Sequence, residues 1–343
     1  MNLRGESVSD SDPLKTLFRE LLLAVGMIGL LILALYAHTG SMPPLVVVES
    51  SSMVHDLENG EVGSIDAGDL VLVHNQDYDT IVTFAEATEV GNSKYGYSQH
   101  GLEGDVIIYK KNGEEGTPII HRAIMEVIPN QIISPNRSVS SNATLSEHCP
   151  DGGTYDSESF DQDGKIGVCV LTWDVPGTDV KDVETVTVNF DGIQAGYYDC
   201  DRPAHANVES YLVVWQWQPQ HAGILTLGDA NKCSVDQGSK AVPGSSGVHS
   251  ASGVVGPIRS SWLIGVAGGE IPWLGTVKLM VSGSDTPGTS HVPSSSFLIL
   301  FALIASVLVL PMLAEPLIRR FVSGAPEFEQ ALIEQGKQYY EAE

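Results

Sequence analysis

The amino-acid sequence predicts a mainly β domain carried between two membrane-spanning helices. Three observations predict it. Two uncharged apolar stretches lie towards the two ends of the 343-residue chain. Between them run short β-branched segments bounded by Gly or Asp, the pattern of strands rather than helices. All four cysteines (Cys149, Cys169, Cys200 and Cys233) fall in that same middle portion.

Residues 1–20 form a polar N-terminal segment. The first apolar stretch, 21–37, reads LLLAVGMIGLLILALYA, near the ~17–25 residues needed to cross a bilayer core. It is long for the apolar region of a cleavable leader, and no small-x-small site follows it. A retained anchor is therefore expected. The second stretch, 297–314, reads FLILFALIASVLVLPMLA, with Pro311 as a point for a kink. Arg4, Lys15 and Arg19 precede the first stretch, and Arg319 and Arg320 follow the second. Positive flanks stay in the cytoplasm, so both termini, including the tail 315–343, are expected there and residues 38–295 outside. That compartment permits disulfides. Four cysteines allow three pairings, and none is chosen by spacing. There is no Cys-x-x-Cys pair, so no metal site is expected.

Strand patterns appear at Leu45–Val48, Asp69–Val73, Asp105–Tyr109 and Ile119–Ile128, with 76–102 as a loop or hairpin excursion. Residues 38–129 and 211–281 together read as one extracytoplasmic β domain. Residues 130–210 read as an inserted β-rich subdomain, since a structureless loop of that length is uncommon in a compact domain. Its strand signal lies at Val183–Phe190, and another follows at Tyr211–Trp217. The insert carries sequons at Asn136 and Asn142. Its Asp161-Gln162-Asp163-Gly164 lacks the ligand spacing of a calcium loop and reads as a turn. Residues 238–253 are Gly/Ser-rich, and 282–296 link the domain to the second span.

The chain holds 43 acidic against 18 basic residues, a formal charge of −25. That balance excludes nucleic acid as a partner, because phosphate binding needs Lys and Arg. Dispersed carboxylates with few lysines suit a protein working in high salt, where screening is nearly complete.

Three clusters carry potential chemistry. Ser50-Ser51-Ser52 follows the strand Leu45–Val48, where a serine can expose its hydroxyl. His121 lies within the strand pattern Ile119–Ile128, on rigid structure where an imidazole can accept a serine proton. Gly228-Asp229-Ala230-Asn231, with Asp236 seven positions after Asp229, offers a carboxylate to orient the ring. Lys110 and Lys111 supply an alternative base, but they sit in a polar turn rather than an apolar pocket.

The order serine, histidine, aspartate on an outward β domain resembles the type I signal peptidases, in particular their archaeal and endoplasmic-reticulum branch. The resemblance spans roughly 20–128 and 222–280. Ser50-Ser51-Ser52-Met53 is similar to the Ser-Gly-Ser-Met box, Gly68–Val73 to the strand box after it, and Gly104–Tyr109 with Ile120-His121-Arg122 to the box of the base. Gly228-Asp229-x-Asn231 with Asp236 resembles the last box, and Ile271-Pro272-Trp273-Leu274-Gly275 the segment beyond. His55 stands where the family has Pro, Ser51 where it has Gly, and Ala230 where it has Asn. Asp229 and Asp236 lie one residue further apart than usual.

The resemblance implies a serine endopeptidase that removes signal peptides from exported preproteins. With the acidic composition, it implies a halophilic archaeal source. Ser52 would be the nucleophile and His121 the general base. Asp236, or alternatively Asp229, would orient the ring, and the Ser50 hydroxyl would support the oxyanion. The substrate would add as a strand beside Leu45–Val48 and Gly104–Tyr109. Signal peptides, membrane lipid and secretion machinery would be the partners, and no cofactor is implied. The competing expectation is a tethered β domain that binds envelope partners through its insert.

Overall fold

The computed structural model describes residues 13–56, 59–60, 62–134, 149, 152–160, 167–205, 210–238, 241, 244–282 and 289–323. The sequons at Asn136 and Asn142, the 161–164 turn, Arg4 and the tail beyond 323 lie outside the described residues. In chain order the helices are α1 (Pro13–Thr39), α2 (Phe84–Thr88), α3 (Thr276–Val281) and α4 (Ser294–Ser323). Apart from two hairpins of two-residue strands, the strands are β1 (Leu45–Val47), β2 (Leu70–His74), β3 (Val106–Tyr109), β4 (Ile119–Pro129), β5 (Ile132–Ile133) and β6 (Thr154–Phe160). They continue with β7 (Gly167–Val170), β8 (Trp173–Asp174), β9 (Val186–Asn189), β10 (Val213–Trp217), β11 (Gly223–Leu227) and β12 (Leu263–Ile271).

The fold is mainly β, as predicted. The central sheet has the order β1-β2-β12-β3-β4-β8, with β11 also paired to β4. Each of these pairings is antiparallel. β3 shows why the sequence there is continuously apolar. Val106 and Ile108 belong to one buried cluster, with Met53, Val71 and Ala267. Ile107 and Tyr109 belong to another, with Ala123, Ile224 and Val266. A strand buried on both faces needs apolar residues at every position, and each such side chain contributes about 1.5–3 kcal/mol on burial.

The insert's strands β5, β6 and β7 form a small sheet in the order β5-β7-β6. Its buried residues Val168, Val170, Trp173, Val186 and Phe190 share one core with Ile124, Met125, Leu225 and Leu227. The insert is thus packed onto β4 and β11 rather than standing on a core of its own. Disulfides join Cys149 to Cys169 and Cys200 to Cys233, choosing one of the three possible pairings.

Some local expectations change. The 76–102 excursion ends in the expected hairpin, Ser98–Gln99 against Leu102–Glu103, but it also contains α2, opened by a capping box in which the Thr83 hydroxyl accepts from Glu86 N–H and the Glu86 carboxylate accepts from Thr83 N–H. The Gly/Ser-rich 238–253 stretch contains part of a hairpin pairing His249–Ser250 with Gly253–Val254.

Two helices, over Leu14–Thr39 and Ser294–Ala314, are long and apolar enough to cross a membrane. Their apolar side chains are exposed, Leu21 and Leu298 among them. Both helices are tied closely to the domain. Gly40–Pro44 alone separate α1 from β1, and Asn75 N–H donates to the Thr39 carbonyl at 2.8 Å. At the other end, Gly60 N–H donates to Ser295 Oγ at 3.0 Å, and Phe297 packs with Val47 and Leu279.

Candidate active site

Strand alternation sorts the site. Successive side chains on a strand leave on opposite faces. On β4, His121 shares its face with Ile107, its partner across the sheet, while Arg122 shares the other with Val106. The two neighbours therefore reach different aspartates. His121 Nδ1 bonds Asp236 Oδ2 at 2.7 Å. Arg122 makes a bidentate pair with Asp229, Nε to Oδ1 at 2.9 Å and a terminal nitrogen to Oδ2 at 2.7 Å. Of the two candidates, Asp236 meets the ring and Asp229 does not.

Asp236 is held from the same face. The Tyr109 hydroxyl donates to Asp236 Oδ2 at 2.6 Å and the Thr226 hydroxyl at 2.5 Å. Full burial, then the charge and hydrogen bond of Asp236, push the Tyr109 pKa well above its usual value, so the phenol stays a donor. Asp236 sits after β11, with its own N–H on the Thr226 carbonyl at 2.8 Å. Tyr109 and Thr226 were not singled out in the sequence. Their signal is indirect: Tyr109 lies two residues beyond Ile107, hence on the His121 face.

Asp229 has another environment. Burial alone would raise its pKa, but the Arg122 charge and the hydrogen bonds from His55 and Arg122 prevail and hold it well below the usual carboxylate range. His55 Nε2 reaches Asp229 Oδ2 at 2.9 Å.

The turn after β11 brings Ser52 to the histidine. Ala230 N–H donates to the Ser52 carbonyl at 2.8 Å. Gly228 is the pivot. A Cβ built there would lie 2.7 Å from His121 Nε2, 2.7 Å from the Ser52 carbonyl oxygen and 2.8 Å from Asn231 Nδ2. Any larger residue would push the histidine and the serine segment apart. Ser52 Oγ itself bonds Ser50 Oγ at 3.1 Å, and no hydrogen bond joins it to His121. Contacts of this kind often tighten only when substrate binds. Among the described residues, the Ser52 N–H has no hydrogen-bond partner.

The alternative base is elsewhere engaged. Lys110 pairs with Glu115 in the turn after β3. The expected substrate position beside Gly104–Tyr109 is corrected, because β3 is hydrogen-bonded to β12 on one side and β4 on the other. Among the described residues β1 pairs with β2 alone and ends the sheet, so its outer edge lies open on the side of the Ser52 segment. Among the described residues, no group of three or more His, Cys, Asp or Glu is arranged to hold a metal ion.

Neither a family model, a curated protein nor a solved structure matches this chain.

Proposed function

We propose that this chain is a membrane-anchored serine endopeptidase of the type I signal peptidase kind, removing signal peptides from preproteins at the outer face of the membrane. The observation that carries the reading is the Asp236–His121 hydrogen bond through Nδ1, which leaves Nε2 turned to the Gly228 pivot that also touches Ser52. The positive flanks of the two spans support placing residues 38–295 outside.

In this mechanism, Ser52 Oγ turns from Ser50 to His121 and attacks the scissile carbonyl. His121 Nε2 takes the serine proton and returns it to the leaving amine. Asp236 stabilises the imidazolium between those steps. The Ser52 N–H and the Ser50 hydroxyl stabilise the oxyanion, and loss of one such donor costs about 2.7–4 kcal/mol. The preprotein lies as an added strand along the outer edge of β1, its main chain supplying the hydrogen bonds.

The test is cleavage of a preprotein by the full-length chain in lipid or detergent at high salt. Ser52→Ala and His121→Ala should each lower kcat by about 10⁴-fold or more, and Lys110→Ala should leave it within about twofold. Cleavage lost in Lys110→Ala but kept in His121→Ala would reject the histidine. No Ser52-dependent cleavage at all would favour the tethered binding domain.

A further inference from the structure

We propose that His55 is a positioning residue, latching the Ser52 loop onto the 228–231 turn through the buried Asp229–Arg122 pair; this rests on the reading of Ser52 as nucleophile. His55 lies three residues beyond Ser52. Its Nε2 is engaged by Asp229 at 2.9 Å. Its ring lies against the backbone of Gly101, where a Cβ would come within 2.8 Å of the ring carbon Cε1 and 2.9 Å of Nδ1. The ring is therefore committed to a dock and does not serve as a second base.

The dock itself is rigid. Asp229 is fully buried, and both its oxygens are gripped by Arg122. Arg122 is immobilised in turn by the carbonyls of Gln99, His100, Leu102, Glu103 and Gly104, which wrap its remaining N–H groups. A carboxylate so held can anchor a neighbouring loop to within fractions of an ångström. The same turn grips the loop at two further points: Ala230 N–H on the Ser52 carbonyl, and Asp229 N–H on Met53 Sδ at 3.5 Å. Only the His55 contact is made by a charged side chain of the turn. A displacement near 1 Å of a reacting group costs about 10²-fold in rate, so the latch acts on kcat and not on substrate affinity.

The experiment compares wild type, His55→Ala and His55→Gln in the full-length chain, since a glutamine amide can donate to Asp229 from a similar reach. Kinetics on a preprotein and amide hydrogen exchange over residues 49–56 are read together. His55→Ala should lower kcat by about 10–100-fold with KM within about twofold. It should speed exchange in 49–56 while β3 and β4 stay protected, and His55→Gln should restore both. Unchanged kcat and exchange in His55→Ala would overturn the proposal. So would faster exchange throughout β3 and β4, which marks a general structural role, or failure of glutamine to restore the loop. If wild type shows no Ser52-dependent cleavage, the protease reading fails separately. The exchange data then decide the latch alone, by whether loop protection is lost with alanine and regained with glutamine.

Discussion

His121 and Arg122 are adjacent, yet they serve carboxylates seven positions apart on opposite faces of β4. In the sequence both Asp229 and Asp236 were candidates, because a motif gives order and spacing but not the side from which each group arrives. The deciding residue was Arg122, a buried cation that needs a buried anion, and its neighbour on the strand must then look elsewhere. The two aspartates should respond differently to the same substitution. Asp236→Asn presents the wrong hydrogen-bonding partner to the His121 ring and, for the proposed protease, should lower kcat by about 10⁴-fold with the fold retained. Asp229→Asn leaves the Arg122 charge uncompensated in the interior and should destabilise the chain by about 3–5 kcal/mol. Steady-state kinetics and thermal unfolding on the two variants check this. The pairing of His121 with Asp236 was legible as one of two choices; Tyr109, Thr226 and the docking of His55 were not, because each acts through a contact more than 100 residues away in the chain or through an ordinary β-branched strand residue.

The strands were readable because β-branched runs bounded by turns carry their own signal, and β2, β3 and β4 fall within two residues of their expected limits. Pairing order was not readable, since β12 inserts between β2 and β3 from far along the sequence. That insertion is why β3, paired on both sides, has no free edge for an added strand. α2 was missed although Thr83-x-x-Glu86 announces its start. β12 also carries a buried acid. Burial, with Asp69 and Asp66 nearby and the Gly63 N–H opposing, raises Glu270 from 4.5 to about 7. His100 Nδ1 faces it at 4.0 Å, and burial lowers the His100 pKa so that this ring favours its neutral form. A raised acid favours its protonated form in the fold. Its contribution to stability is full below about 4.5 and is lost as pH rises through about 7. Thermal midpoints measured from pH 4.5 to pH 8 should therefore fall less in Glu270→Gln than in wild type. An equal fall in both would remove Glu270 as the cause.

At the scale of the molecule, composition made the two long apolar helices and the acidic character plain, whereas the shared core of the insert required the structure. A formal charge of −25 spread over the chain makes the folded state repel itself, and screening relieves this as the Debye length drops from ~10 Å at 0.1 M salt to ~3 Å at 1 M. Raising potassium chloride over that range should lift the unfolding midpoint by on the order of 5 °C, while a midpoint unmoved by salt would argue against self-repulsion. The attachment of the two long helices has a different consequence. Thr39 is bonded to Asn75 and Ser295 to Gly60, so the β domain has two pinned feet and little freedom to rise or lean. For the proposed protease, that turns the bilayer into a depth gauge. On that proposal, the scissile bond would be chosen by its height above the lipid, which a substrate would have to match before its side chains are tested.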